Sequence, residues 1–261
     1  LGVIYYNGEG ISRNVDKATA IDNSYVTLTY KLSSKSSPHD PEAIYEDVMV
    51  LQIGKGVTRY YNSELENRDS VNTKRMNKGL PESRMATSIA YEIFTDVSSR
   101  EMTVVQRVPL SDDSYEYKDV FAGQWRISVD TDSIMGYVCQ KAETEFRGRS
   151  YTAWFAPEIP VAQGPWKFHG LPGAILKVYD EKKDYSLECI GLTQEARPIL
   201  KYANKTRSVS RDEWRKFESP FYQHAGQLLQ TGLKIKLIDE KGASRELPES
   251  WSALYNPQEL E

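Results

Sequence analysis

Residues 136–155, Gly136-Tyr-Val-Cys-Gln-Lys-Ala-Glu-Thr-Glu-Phe-Arg-Gly-Arg-Ser-Tyr-Thr-Ala-Trp-Phe155, decide the fold. Read as one strand they would extend ~65 Å at ~3.3 Å per residue, well beyond the usual strand length. A two-residue turn at Arg147-Gly148 resolves this, because X-Gly pairs favour tight hairpins. Folding there sets Phe146 opposite Arg149, Thr144 opposite Tyr151, Ala142 opposite Ala153 and Gln140 opposite Phe155. The other face sets Glu145 opposite Ser150, Glu143 opposite Thr152 and Lys141 opposite Trp154. One face is mostly apolar and the other mostly charged. A slip of one residue would mix them, so the register is specified.

Outward from this hairpin the pattern stays β-rich. Upstream, Trp125 to Val129 alternates, and Asp130-Thr131-Asp132-Ser133 reads as the turn before Gly136. Downstream, Ile175 to Tyr179 and Tyr185 to Leu192 form a second hairpin around residues 180–184. Tyr25 to Leu32, Val48 to Ile53, Val57 to Asn62, Met102 to Val108 and 233–238 read as further strands. Val3 to Tyr6 is a short strand candidate. Gly54-Lys55-Gly56 reads as a hairpin loop, and Ser33 to Pro41 and residues 63–80 as loops. One helix is expected from Ser83, with Met85, Ala86, Ile89, Ala90, Ile93, Phe94 and Val97 on one face. A second begins at Ser210, where Ser210 and Glu213 have capping-box spacing; Trp214, Phe217 and Phe221 share a face, and Pro220 ends or kinks it.

The fold class predicted is α+β, mostly antiparallel: a curved meander sheet of roughly ten strands, half-open barrel-like if the curvature is strong, with two helices. No repeat or Gly/Ser-rich linker divides the chain. The expected organisation is an N-terminal extension 1–24, a single β-rich domain 25–247 and a polar tail 248–261. The 17 Tyr against 7 Phe fit strands with rings packed and hydroxyls in water.

Composition narrows the function. Of the 261 residues, 39% are hydrophobic and 27% charged, too apolar for a disordered chain and too polar for a membrane bundle. No stretch has the ~20 apolar residues of a membrane span. A net charge of −4 argues against a general nucleic-acid partner. No CxxC pair, phosphate-cradling glycine loop or nucleophile elbow occurs. No cofactor, metal or catalytic residue is therefore assigned. Of the three histidines, His39 lies in a Ser/Pro loop and His224 follows the second helix. His169 alone sits in an unusual segment and is the sole candidate for a His-dependent hydrolase. Glu143 and Glu145 lie beside Lys141 and suit ion pairing on a wet face. Arg147 and Arg149, brought together by the Gly turn, form a candidate anion site. Cys139 and Cys189 leave two outcomes open, one disulfide or two free thiols.

The unusual segment is Pro157 to Gly173. Seven of its 17 residues are Gly or Pro, yet it holds Ile159, Trp166, Phe168 and Leu171. Pro172-Gly173 fits the centre of a type II turn. The aromatics either close the sheet core or form the lip of an apolar groove. As groove lip, Trp154, Phe155, Trp166, Phe168, Gly170, Leu171, Pro172, Gly173 and Ile175 are the candidate binding residues.

Here the chain resembles the GLPGLI family. The resemblance is carried by Tyr151-Thr-Ala-Trp-Phe-Ala-Pro-Glu-Ile-Pro160, Gly164-Pro-Trp-Lys-Phe168 and Gly170-Leu-Pro-Gly-Ala-Ile175. Upstream, Gly136-Tyr137, Cys139-Gln-Lys-Ala142 and Phe146-Arg-Gly-Arg149 also fit. Ala174 departs from the pattern, standing where the family has Leu. The resemblance implies a Bacteroidota protein exported to the cell envelope: periplasmic, outer-membrane-associated or secreted. A first residue of Leu rather than Met agrees with a removed leader. Export permits a Cys139–Cys189 bridge. The resemblance supplies no activity, and no catalytic residue carries over from it. The expected function is a non-enzymatic binding module with an apolar groove for a lipid-like or peptide ligand. The alternative is an envelope assembly module that binds another protein.

Overall fold

The computed structural model describes residues 3–5, 18–37, 40–80, 90–107, 114–202, 206–223, 236–238, 244–246 and 257–260. In chain order they form β1 (Val3–Tyr5), β2 (Ala18–Ser37), β3 (Asp40–Gly54), β4 (Val57–Asn62), α1 (Ser63–Met76), β5 (Tyr91–Asp96), β6 (Met102–Arg107) and β7 (Ser114–Asp119). Then follow β8 (Arg126–Ile134), β9 (Tyr137–Phe146), β10 (Arg149–Ala156), β11 (Ala174–Asp180) and β12 (Tyr185–Thr193). The chain continues with β13 (Arg197–Tyr202), β14 (Thr206–Ser208), α2 (Arg211–Gln223), β15 (Lys236–Ile238) and β16 (Ser244–Glu246).

Two antiparallel meanders build one sheet. The first runs β2 to β7 and the second β8 to β12. They join where β12 pairs with β2, with Leu187 opposite Leu32 and Tyr185 opposite Ser34. β13 continues along β2 beyond β12, and β14 lies parallel to β7. The end strands β14 and β8 do not meet, so the sheet is open rather than a closed barrel. β1, β15 and β16 form a separate three-stranded sheet.

The decisive hairpin has the register its pattern requires. Arg149 faces Phe146, Tyr151 faces Thr144, Ala153 faces Ala142 and Trp154 faces Lys141. Arg147 and Gly148 both take positive φ, 52° and 76°, as a type I′ turn needs. The hairpins at Gly54-Lys55-Gly56 and at 180–184 are also present.

Several expectations are corrected. Residues 130–133 lie inside β8, and the turn falls at Met135-Gly136. A bulge between Ile127 and Thr131 absorbs the extra residues. Ser33 to Pro41 is largely ladder, with Ser33 opposite Glu46 and Lys35 opposite Ile44. Residues 63–76 form α1 rather than a loop. Asn62 caps it, its Oδ1 accepting from the amides of Glu64 and Leu65 at 3.0 and 3.2 Å. The helix expected from Ser83 is not found where it can be tested: Tyr91–Asp96 is β5, and 81–89 lie outside the described residues. The second helix is correct, with Ser210 and Glu213 exchanging capping bonds, but it runs through Pro220 to Gln223.

The inner face of the sheet carries the core. Leu28, Tyr30 and Leu32 of β2, Met49 and Leu51 of β3, and Ala153 and Phe155 of β10 are nearly or fully buried at alternate positions. Tyrosines go deeper than the wet-hydroxyl expectation. Tyr30 and Tyr60 are buried, and Tyr30 satisfies its hydroxyl by donating to the Ile175 carbonyl at 2.8 Å. Among the described residues no helix is long and apolar enough to cross a membrane.

Candidate functional site

The 157–173 loop packs inward. Trp166, Phe168, Leu171, Ile159 and Val161 are buried. Phe168 meets Tyr151 edge-on at 4.8 Å and Trp166 at 5.1 Å between centroids. Phe121 and Phe146 complete the cluster. Two glycines permit this path by close approach. A Cβ on Gly164 would lie 2.6 Å from Ile175 Cδ1, and one on Gly173 would collide with the Ala156 carbonyl. The turn at Pro172 is tighter than type II. The Gly173 amide donates to the Leu171 carbonyl at 2.8 Å, while Ala174 donates to Ile159 at 3.0 Å.

This placement corrects the expected groove lip. Phe155, Trp166, Phe168, Leu171, Gly173 and Ile175 are buried, Trp154 is half-buried, and only Gly170 and Pro172 are exposed. The large side chains therefore fill the sheet's interior instead of rimming an open groove. Truncating such buried aromatics costs ~3–5 kcal/mol of stability.

The expected anion pair is also already partnered. Arg147 donates to Asp119 at 2.5 Å. Arg149 donates to Asp180 and Asp184, each at 2.9 Å. Cys139 and Cys189 are buried free thiols, and burial pushes both up to about 11. His169 is buried, with no hydrogen-bond partner on Nε2. Burial, aided by Arg100, lowers it to about 4. Among the described residues no carboxylate is bonded to it, so none there completes a triad. His39 and His224 lie outside the described residues. Among the described residues no group of three or more His, Cys, Asp or Glu side chains could hold a metal.

A different constellation lies beside the aromatic loop. Lys167, in the sequence between Trp166 and Phe168, is buried with its ammonium against Asp119 at 2.7 Å and Glu259 closer still. Its Nζ also lies 3.4 Å from the Tyr117 hydroxyl. Burial works against this charge, yet Tyr117, Glu259 and Asp119 hold Lys167 above its ordinary range. The same contact reverses the effect of burial on Asp119 and Glu259, keeping both carboxyls below theirs.

Glu259 belongs to a short segment, 257–260, that side chains grip along its length. Arg149 donates to the Pro257 carbonyl at 2.8 Å and Tyr151 to the Gln258 carbonyl at 3.3 Å. Arg215 donates to the Glu259 carbonyl at 2.8 Å. Tyr91 donates to the Gln258 side chain at 3.1 Å. Arg211 takes the second Glu259 carboxylate oxygen through Nε and Nη2 at 2.8 and 2.6 Å. The Leu260 amide donates to the Arg147 carbonyl at 2.9 Å.

Local structure sets these donors. Arg147 lies in the hairpin turn and Arg149 directly follows it, and Arg211 and Arg215 share a face of α2 at i, i+4. Asp180 and Asp184 flank the next turn and hold Arg149. The sequence reading missed Lys167, Asp119, Arg211, Arg215 and Glu259. A lysine inside the aromatic run Trp166-Lys167-Phe168 was the one visible signal, since such a charge is buried only with partners.

Residues 144–177 match a family model described as "Protein of unknown function (Porph_ging)". The match spans the end of β9, the hairpin, the aromatic loop with Lys167, and part of β11. No curated protein matches the chain. Solved structures similar to the chain include two of PNGF-II. The one in the P21 space group has a TM-score of 0.53 and 14% identity, over 75% of this chain and 32% of that chain. The one in the C2 space group has a TM-score of 0.52 and 14% identity over the same shares. The chain thus spans about a third of the PNGF-II chain, and at this identity the likeness is one of fold.

Proposed function

We propose that this chain is an exported binding module, without catalytic chemistry, that holds an acidic peptide in the cradle around Lys167. One observation carries the reading. Three consecutive carbonyls and one carboxylate of residues 257–260 are held by side chains from β10 and α2 and from Lys167. A clamp on the backbone plus a buried charged anchor is how acidic peptides are recognised by Arg-rich sites.

The ionisable groups favour holding over proton transfer. Lys167 is pushed up and Asp119 and Glu259 down, all away from neutrality, whereas a general base is useful when poised near it. A lipid-like ligand would need the apolar groove that the buried aromatics fill. The assembly-module alternative rests on charged strands and on long polar loops such as 63–80. That stretch is mostly α1, with Leu65, Asp69, Asn72 and Thr73 turned inward. Export to the envelope is supported by the GLPGLI resemblance alone.

Phage-displayed random peptides test the reading. They are panned on the full chain carrying Glu259→Gln, which weakens the grip on the chain's own segment. Acidic sequences should be enriched about tenfold over the same chain carrying Arg211→Ala as well, equivalent to losing one charge-assisted contact. Equal recovery from both proteins overturns the peptide site.

A further inference from the structure

We infer that residues 257–260 are a ligand bound in cis, which a free peptide of the same chemistry displaces, so that the chain regulates its own site. The inference rests on the reading of the cradle as a peptide site.

The segment is attached as a ligand would be rather than as a structural element. It joins no strand ladder among the described residues. The hydrogen bonds that hold it to the domain run to side chains, apart from that of the Leu260 amide to the Arg147 carbonyl. Only Glu259 is buried, at 7% exposed, while Leu260 is 49% exposed and Pro257 and Gln258 are intermediate. One buried anchor between more exposed neighbours concentrates the recognition in a single carboxylate.

That carboxylate is read at both oxygens, by Lys167 on Oε1 and by Arg211 on Oε2. The carbonyls of residues 257, 258 and 259 are read by Arg149, Tyr151 and Arg215. Backbone contacts of this kind tolerate many sequences, whereas the carboxylate contact does not. The ligand class is therefore a peptide with a Glu at the anchor position, flanked by residues that reach solvent. The cradle also survives the segment's departure: Lys167 keeps Asp119, Arg147 keeps Asp119, and Arg149 keeps Asp180 and Asp184. Because the segment is tethered, it competes at high effective concentration, and a peptide in trans binds the intact chain more weakly than its intrinsic affinity.

The probe is a fluorescent heptapeptide of residues 255–261, Tyr-Asn-Pro-Gln-Glu-Leu-Glu, titrated by anisotropy. A chain ending at Asn256 should bind it at least about tenfold more tightly than the intact chain, and replacing the peptide's Glu259 with Gln should cost about tenfold. A second measurement uses the unaltered protein and does not depend on the variant folding. Excess unlabelled heptapeptide should strip hydrogen-exchange protection from the Leu260 amide of the intact chain, which is bonded to the Arg147 carbonyl. Unchanged protection at millimolar peptide overturns cis occupancy. If the shortened and intact chains bind the heptapeptide equally, the peptide site stands and its self-regulation falls. If no form binds it and protection is unchanged, both fall.

Discussion

His169 is held neutral by burial, with a folded value near 4 against 6.5 for an ordinary histidine. The unfolded chain therefore takes up a proton that the folded chain refuses, and stability falls as pH drops from about 6.5 towards 4. Between pH 7 and pH 5 this one group should remove about 2 kcal/mol. Urea unfolding at both pH values checks it, comparing the wild type with His169→Phe, which keeps an aromatic ring beside Phe121. The variant should lose about 2 kcal/mol less than the wild type over that interval, and equal losses would show that His169 does not titrate in this window. The residue stands out in the sequence for the company it keeps, and that company explains why its imidazole is held neutral. Phe121 stacks edge-on against its ring at 5.4 Å, and the Trp125 indole donates to its backbone carbonyl, not to its imidazole. Lys167, two positions earlier, is the polar residue of the segment that the fold supplies with carboxylates. They come from β7 and from residue 259, which no sequence spacing connects.

At the scale of elements, the hairpin at 147–148 was legible because each arm buries one face, so side-chain alternation reports register directly. The α1 helix hid its face by chemistry. Its buried positions, Leu65, Asp69, Asn72 and Thr73, have helical spacing, but three of the four are polar. Asp69 is fully buried against Arg107 of β6, and beside it Arg59 of β4 bridges Glu66 of α1 and Glu92 of β5. This polar layer covers the outer face of β4 to β6. With both of its faces covered, β5 buries Glu92, Ile93, Phe94 and Thr95 in succession. Within that run the adjacent apolar pair Ile93-Phe94 falls in step with Met85, Ala86, Ile89 and Ala90 and so imitates a helical stripe, which is why residues 83–97 read as a helix. If Asp69 anchors α1 to the sheet, removing it takes from the buried Arg107 guanidinium the carboxylate that both of its terminal nitrogens are bonded to. Asp69→Ala should lower the free energy of unfolding by about 3–5 kcal/mol. A loss below about 1 kcal/mol in urea titration, the range of an exposed pair, would mean that the layer is wet and α1 is held by its cap and Leu65.

For the whole molecule, the strand order alone understates how far the sheet bends. β7 and β9 are separated by nine strand spacings, ~43 Å across a flat sheet at ~4.8 Å each. Yet Asp119, at the end of β7, meets Arg147, in the turn directly after β9, at 2.5 Å, and Lys167 at 2.7 Å. Strand twist supplies the curl, and the aromatic loop fills the space it encloses. Asp119 is where the two meanders touch across the bent, open sheet, so it should govern the bend more than any residue of a single hairpin. Its carboxyl is held below the usual value because Lys167 and Arg147 outweigh its burial. A carboxyl so depressed stabilises the fold above its unfolded value of 3.8, and that contribution is lost as pH falls through the folded one. Asp119→Asn keeps the shape, removes the charge and leaves Lys167 with Glu259. It should cost about 3 kcal/mol at pH 7, the lower end for breaking a buried pair, because one partner remains. Since the Asn side chain does not titrate, the deficit relative to wild type should shrink as both are taken below pH 3.8. A deficit that stays constant down to pH 2 would assign the bend to the aromatic packing of Trp166 and Phe168, with the ion pairs merely following a sheet already bent.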